Sequence, residues 1–167
     1  MTERRRGRRA VLVVAALALV VTAATGSVAG RPGLNLRITD EDGRVLASVP
    51  LEADAAFGLR YRNSLYGTLG EEQFVATPDG TIRLTGLRAA QLAVLEEYYA
   101  IDSPASRGGD GPLRWSAAPA VSTEVAALRL AATDLGRRTL IVAGREPLAL
   151  WRLVDDARPH VTLSVVP

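Results

Sequence analysis

The chain of 167 residues contains no cysteine. That absence removes disulfides, thiolate metal sites, cysteine nucleophiles and a lipid anchor on cysteine. There is no lysine either, so all twenty basic residues are arginine. Schiff-base chemistry and a phosphate-cradling P-loop are excluded with it. Histidine occurs once, at His160, and one imidazole cannot build a multi-histidine metal centre. No metal site and no cofactor are expected.

The formal charge of +2 conceals an uneven distribution. Arg4, Arg5, Arg6, Arg8 and Arg9 crowd the start, with only Glu3 beside them. From residue 10 onward fifteen arginines face seventeen acids. The body is mildly acidic and carries no basic footprint for nucleic acid.

After the basic start, Ala10 to Ala24 is apolar except for Thr22, and small residues follow through Gly30. This is the pattern of a secretory signal, with Ser27-Val28-Ala29 placing cleavage after Ala29. As a helix the fifteen-residue core spans about 22 Å, short of the roughly 30 Å hydrocarbon layer. Counted through Ala29 it just reaches across. Residues 1–30 are therefore expected to be a signal peptide or a signal anchor. In either case the arginines stay inside and residues 31–167 form an extracytoplasmic domain. The protein is expected at the outer face of the cytoplasmic membrane, in the periplasm or outside the cell. The membrane is a partner through the N-terminal segment if that segment is uncleaved.

The body alternates apolar and polar residues. Leu34, Leu36 and Ile38 open it, and Asp40-Glu41-Asp42-Gly43 reads as a hairpin turn because glycine supplies the positive φ. A calcium loop of the EF-hand type needs glutamate at its twelfth position, which here is Leu51. Further strands are expected at Phe57–Tyr61, Glu71–Thr77 and Thr81–Leu87. Val125–Ala132, Thr139–Ala143, Leu148–Val154 and Val161–Val166 follow the same pattern. Residues 89–100 have helical propensity, with Leu92, Leu95 and Tyr99 as a stripe. The predicted fold class is all-β: a single sandwich or small barrel of about eight or nine mostly antiparallel strands.

The stretch Phe57–Phe74 gathers Asn63, Ser64, Tyr66, Glu71 and Glu72 around a corner that Gly67 and Gly70 permit. Ser64 lacks the G-x-S-x-G elbow of a hydrolase, and His160 is its sole candidate imidazole. Glu71 and Glu72 are adjacent on a strand and so point to opposite faces, which rules out a carboxylate dyad. The expectation is one structural and one solvated glutamate, with Arg60 or Arg62 pairing a glutamate across the sheet. No catalytic residue is assigned. Asn63, Ser64, Tyr66 and Glu72 are expected to be a structural or ligand cluster. Of these, Asn63, Ser64 and Glu72 should form a buried hydrogen-bonded group that pins the corner. Trp115 and Trp151 are expected as buried aromatic anchors of the core, and Tyr98-Tyr99 as one outward and one inward ring.

The same stretch resembles a small bacterial family, the domain of unknown function 1850. The likeness is carried by Phe57, Leu59, Tyr61, Asn63, Ser64, Tyr66, Thr68, Glu72 and Phe74. Ala93-Val94-Leu95-Glu96 before Tyr98-Tyr99, and Thr139–Val142, extend it. Asn63 departs from the histidine usual in the family, and asparagine keeps hydrogen bonding but not proton transfer. The resemblance implies an exported or membrane-anchored accessory of tripartite (TRAP) transporters of the TAXI subclass. Its partners would be transporter membrane subunits or a solute-binding protein. Two alternatives differ in class: a serine hydrolase using Ser64 with His160 or Glu72, and a structural domain of the cell envelope.

Overall fold

The computed structural model describes residues 33–52, 55–108 and 111–167. The expected signal or anchor over 1–30 lies outside them. Among the described residues no helix is long and apolar enough to cross a membrane.

Two antiparallel sheets build the body. Sheet A has the order β2 (Val45–Leu51), β1 (Leu34–Thr39), β12 (His160–Val166), β9 (Ala127–Ala131). Sheet B has the order β11 (Leu148–Ala149), β10 (Thr139–Val142), β3 (Ala56–Arg62), β4 (Leu69–Ala76), β5 (Ile82–Ala89), β7 (Trp115–Ala117), β6 (Ser106–Arg107). A further piece, β8 (Glu124–Val125), pairs with β5. The strands number twelve among the described residues, not eight or nine, because β6, β7, β8 and β11 are pieces of two or three residues.

Period-two alternation builds the core. β1 turns Leu34, Leu36 and Ile38 inward, and β12 turns Val161, Leu163 and Val165 inward. Phe57, Leu59, Phe74, Ala76, Ile82 and Leu140 face them from sheet B. Phe57 and Phe74 are directly opposite on β3 and β4 and stack with ring centroids 5.4 Å apart. Each fully buried leucine or isoleucine contributes about 1.5–3 kcal/mol.

Sheet B is wider than sheet A, and its overhang needs its own cover. The expected helical stretch provides it. A π-helical turn at Val94–Tyr98 buries Val94 and Leu95 against Leu87 and Ala89, with Tyr99 and Trp115 around them. The two cores meet at Leu84, which packs on both. β5 serves both by a change of phase. Ile82 and Leu84 face inward at its start, and Leu87 and Ala89 at its end. The ladder slips between Gln73 and Phe74 so that Thr85 is extra, and the Thr85 hydroxyl bonds the Gln73 carbonyl.

Two expected strands differ from the observed ones. Val125–Ala132 splits: β8 belongs to sheet B and β9 to sheet A, so the chain crosses between the sheets and closes one side of the sandwich. Leu148–Val154 is a strand only at its first two residues. Leu150 donates its N–H to Arg138 and accepts from Leu153, curling Leu150–Arg152 into a 3₁₀ turn that buries Leu150 in the main core.

Candidate functional site

The corner joining β3 to β4 is held by one side chain. Asn63 is only 4% exposed, and its Oδ1 accepts the N–H groups of Leu65 and Tyr66, both at 3.0 Å. Its backbone N–H reaches Thr68 and its carbonyl accepts from Gly67. Gly67 sits at φ +64°, as expected of a turn glycine. Gly70 is required for a different reason. It lies opposite Tyr61, and a Cβ there would stand 2.4 Å from the tyrosine ring.

Ser64 and Glu72 do not join Asn63, which corrects the expected buried group. Ser64 is exposed on the turn. The turn takes up the residues between the strands, so the register places Glu72 opposite Leu59, well along the sheet from Asn63. Tyr66 keeps only its backbone bond to Asn63, and its side chain leaves the cluster to bond Glu97 on the helical turn. That bond, ahead of burial, raises the Tyr66 phenol above its ordinary range.

Glu72 points inward between the two cores and is met there by Tyr99, Tyr61 and Arg138. Tyr99 donates to its Oε1 at 2.8 Å, and Tyr61 donates in turn to the Tyr99 hydroxyl at 2.8 Å. Arg138 Nη1 reaches Oε2 at 3.3 Å and lays its guanidinium 5.2 Å over the Tyr61 ring. Burial pushes the Tyr61 phenol up to about 12. Burial, then the Glu72 charge, pushes Tyr99 up as well. Both phenols are therefore protonated donors at neutral pH, suited to holding a carboxylate and not to accepting a proton.

Glu71 faces the outer side of sheet B, yet is only 6% exposed. Arg60 grips its Oε2 through Nε at 3.0 Å and Nη2 at 2.8 Å, fulfilling the expected cross-strand pair. Arg88 stands 3.8 Å from Oε1. Gly58 leaves room for the Glu71 side chain to lie along the sheet, since a Cβ there would be 3.3 Å from the Glu71 carboxyl carbon. The expected solvated glutamate is thus absent from this pair: both are bonded, on opposite faces.

His160 starts β12 in sheet A, and its Nδ1 bonds Glu41 Oε1 at 2.8 Å. That bond, foremost, lowers the Glu41 carboxyl below its usual range. The imidazole is engaged with Glu41, and no hydrogen bond links it to Ser64. Asp40 closes the hairpin as expected, its Oδ1 accepting from Asp42 and Arg44. Among the described residues no group of acids and histidine is spaced to hold a metal ion.

Sequence reasoning missed Tyr61 and Arg138 as polar residues. A tyrosine at an inward position of an alternating strand, level with a glycine on the next strand, was the available signal for Tyr61. Arg138 has no local signal. Tyr99 points inward and Tyr98 outward, as expected. Trp115 and Trp151, expected to be buried, are only half-buried, each packed against the margin of one core.

The same end of the sandwich carries a second feature. The Arg62 N–H donates to the Gly136 carbonyl at 2.7 Å, joining the β3–β4 corner to the β9–β10 loop. Each of these loops exposes a leucine, Leu65 at 74% and Leu135 at 65%. On the second loop Arg137 lies 5.4 Å from the Trp151 ring, and Arg152 lies 4.8 Å from it. No family model, curated protein or solved structure matches the chain.

Proposed function

We propose that the chain is an exported or membrane-anchored, non-catalytic domain that assists a TRAP transport system of the TAXI type by docking one of its proteins. The observation that carries the docking is the loop end bearing Leu65 and Leu135, with Trp151 beside it and two guanidinium groups near the Trp151 ring. The exposed leucines on two tied loops are apolar surface, and the tryptophan and arginines beside the second loop are residue types enriched in protein-binding hot spots. Its position suits the role. β1 starts at Leu34 and leads away from the N-terminal segment to the turn at Asp40–Gly43, roughly 17 Å along at 3.3 Å per residue. Arg158 ties that turn to the chain before β12, and Pro159 accepts from Ala132 next to the β9–β10 loop. An N-terminal anchor would thus hold the far end of the sandwich and leave Leu65 and Leu135 directed away from the bilayer. The transporter assignment is supported by the resemblance of Phe57–Phe74 and by the secretory pattern of the first thirty residues.

The test is recovery of partners with the tagged full chain from solubilised membranes of the producing cells. A transporter membrane subunit or its solute-binding protein should co-purify. Leu65→Asp with Leu135→Asp should cut that recovery severalfold while the melting temperature stays unchanged. Absence of any transporter component, or recovery indifferent to both substitutions, overturns the reading.

A further inference from the structure

The sandwich is closed on one side by the β8–β9 crossing and open on the other. Among the described residues, on the open side β2 is the free edge of sheet A and the β10–β11 hairpin is the free edge of sheet B. Between them lie two adjoining clefts, of 330 Å³ and 490 Å³, which share Pro50, Val142 and Arg145. Each is within the range of about 300–1,000 Å³ that holds small molecules.

The walls are the core faces themselves. Ala47 and Val49 pair with Ile38 and Leu36, and Val142 pairs with Phe57. Leu148 sits across from Leu140 on the same face. These positions point inward by register, yet Ala47, Val49, Val142 and Leu148 are only half-buried because the sheets part here. The charges are sparse. Glu146 lines only the first cleft and Glu52 only the second, so Arg145 is the one charged residue common to both. It follows Gly144, at φ +71°, in the tight turn of the β10–β11 hairpin, and makes no ion pair among the described residues.

We propose that this cleft binds an aliphatic monocarboxylate. The chain lies between Val49 and the Val142–Leu148 wall, where it covers apolar surface that the sandwich leaves wet. The carboxylate meets the Arg145 guanidinium, whose paired N–H donors match its two oxygens. This site is at the open side and is independent of the loop end that carries Leu65 and Leu135.

The test is photolabelling of the full chain, held in phosphatidylcholine nanodiscs, with a decanoic acid bearing a terminal diazirine. Cleavage after arginine then locates the label. Label should fall on residues 45–60 and 139–152, with decanoate competing and decanol competing about tenfold more weakly, the margin of one charge-assisted pair. Arg145→Gln, on an exposed turn, should lower labelling about tenfold, and Val49→Trp should block it by filling the cleft. Equal competition by decanol, label spread over other peptides, or labelling unmoved by Arg145→Gln overturns the proposal, and this last variant decides even if Val49→Trp disturbs folding.

Discussion

Glu71 points from β4 to the outer face of sheet B, where two guanidinium groups meet it. Glu72 points inward to two phenols and one guanidinium. Glu71 is the more enclosed of the two, with a side-chain exposure of 7% against 18%. Its partners are the more open: Arg60 and Arg88 are 40% and 35% exposed, whereas Arg138 is 20% exposed and Tyr61 is buried. The energy of a paired carboxylate depends on what is stranded when it is removed. Water can rehydrate Arg60 and Arg88. It reaches the Tyr99 hydroxyl and Arg138 far less easily. The better-hidden acid should therefore be the less costly one to lose.

Removing each acid tests that ordering. Glu72→Ala leaves Tyr99 without its acceptor and Arg138 without its counter-charge, and should lower the unfolding free energy in urea by about 3 kcal/mol. A Glu72→Ala protein as stable as the parent would break the comparison outright.

Alkali addresses the inner face alone. Tyr61 holds its proton more tightly folded than unfolded, with its pKa moved from 10.0 to about 12. Its contribution is complete below pH 10 and is lost as the pH rises toward 12, on the order of 2 kcal/mol in all. Tyr99 shifts the same way. Urea midpoints across this interval, read beside tyrosinate absorbance, should fall in the parent and fall less in a Tyr61→Phe variant.

Glu71→Ala should cost about 1 kcal/mol, because exposed arginines are screened and hydrated. Part of that cost should disappear in 1 M NaCl, where screening acts over roughly 3 Å. The cost of Glu72→Ala should persist in the same salt. Two equal salt responses would erase the distinction between the faces. Ser64→Ala should fall within about 0.5 kcal/mol of the parent, separating the exposed serine from the cluster once expected of it.

The strands were legible where alternation alone decides them. β1 and β12 follow their apolar residues one for one, and the turn at Asp40–Gly43 follows its glycine. Leu148–Val154 was not legible, because Leu150 is drawn inward by a bond to Arg138 that no local pattern announces. The Glu71–Arg60 pair was readable from adjacent strands. The Glu72 site was not. Its register depends on how many residues the Asn63 turn consumes, and Tyr99 and Arg138 arrive from segments 27 and 66 residues away. Asn63 shows a related limit. Its oxygen accepts two backbone N–H groups, whereas a neutral imidazole nitrogen offers a single acceptor. The asparagine at this position is thus matched to the turn it holds.

The extra residue at Thr85 has a consequence for how this chain can change over time. A one-residue deletion there would restore an unbroken ladder and leave Ile82, Leu84, Leu87 and Ala89 all facing inward. Substitution at Thr85 costs a single hydroxyl bond to the Gln73 carbonyl. Loss of the position costs the same bond and keeps the residues of both cores on one face. At this point of the sheet one residue is surplus to the ladder, so its deletion should be far less harmful than a deletion within β1 or β12, where the alternation is unbroken.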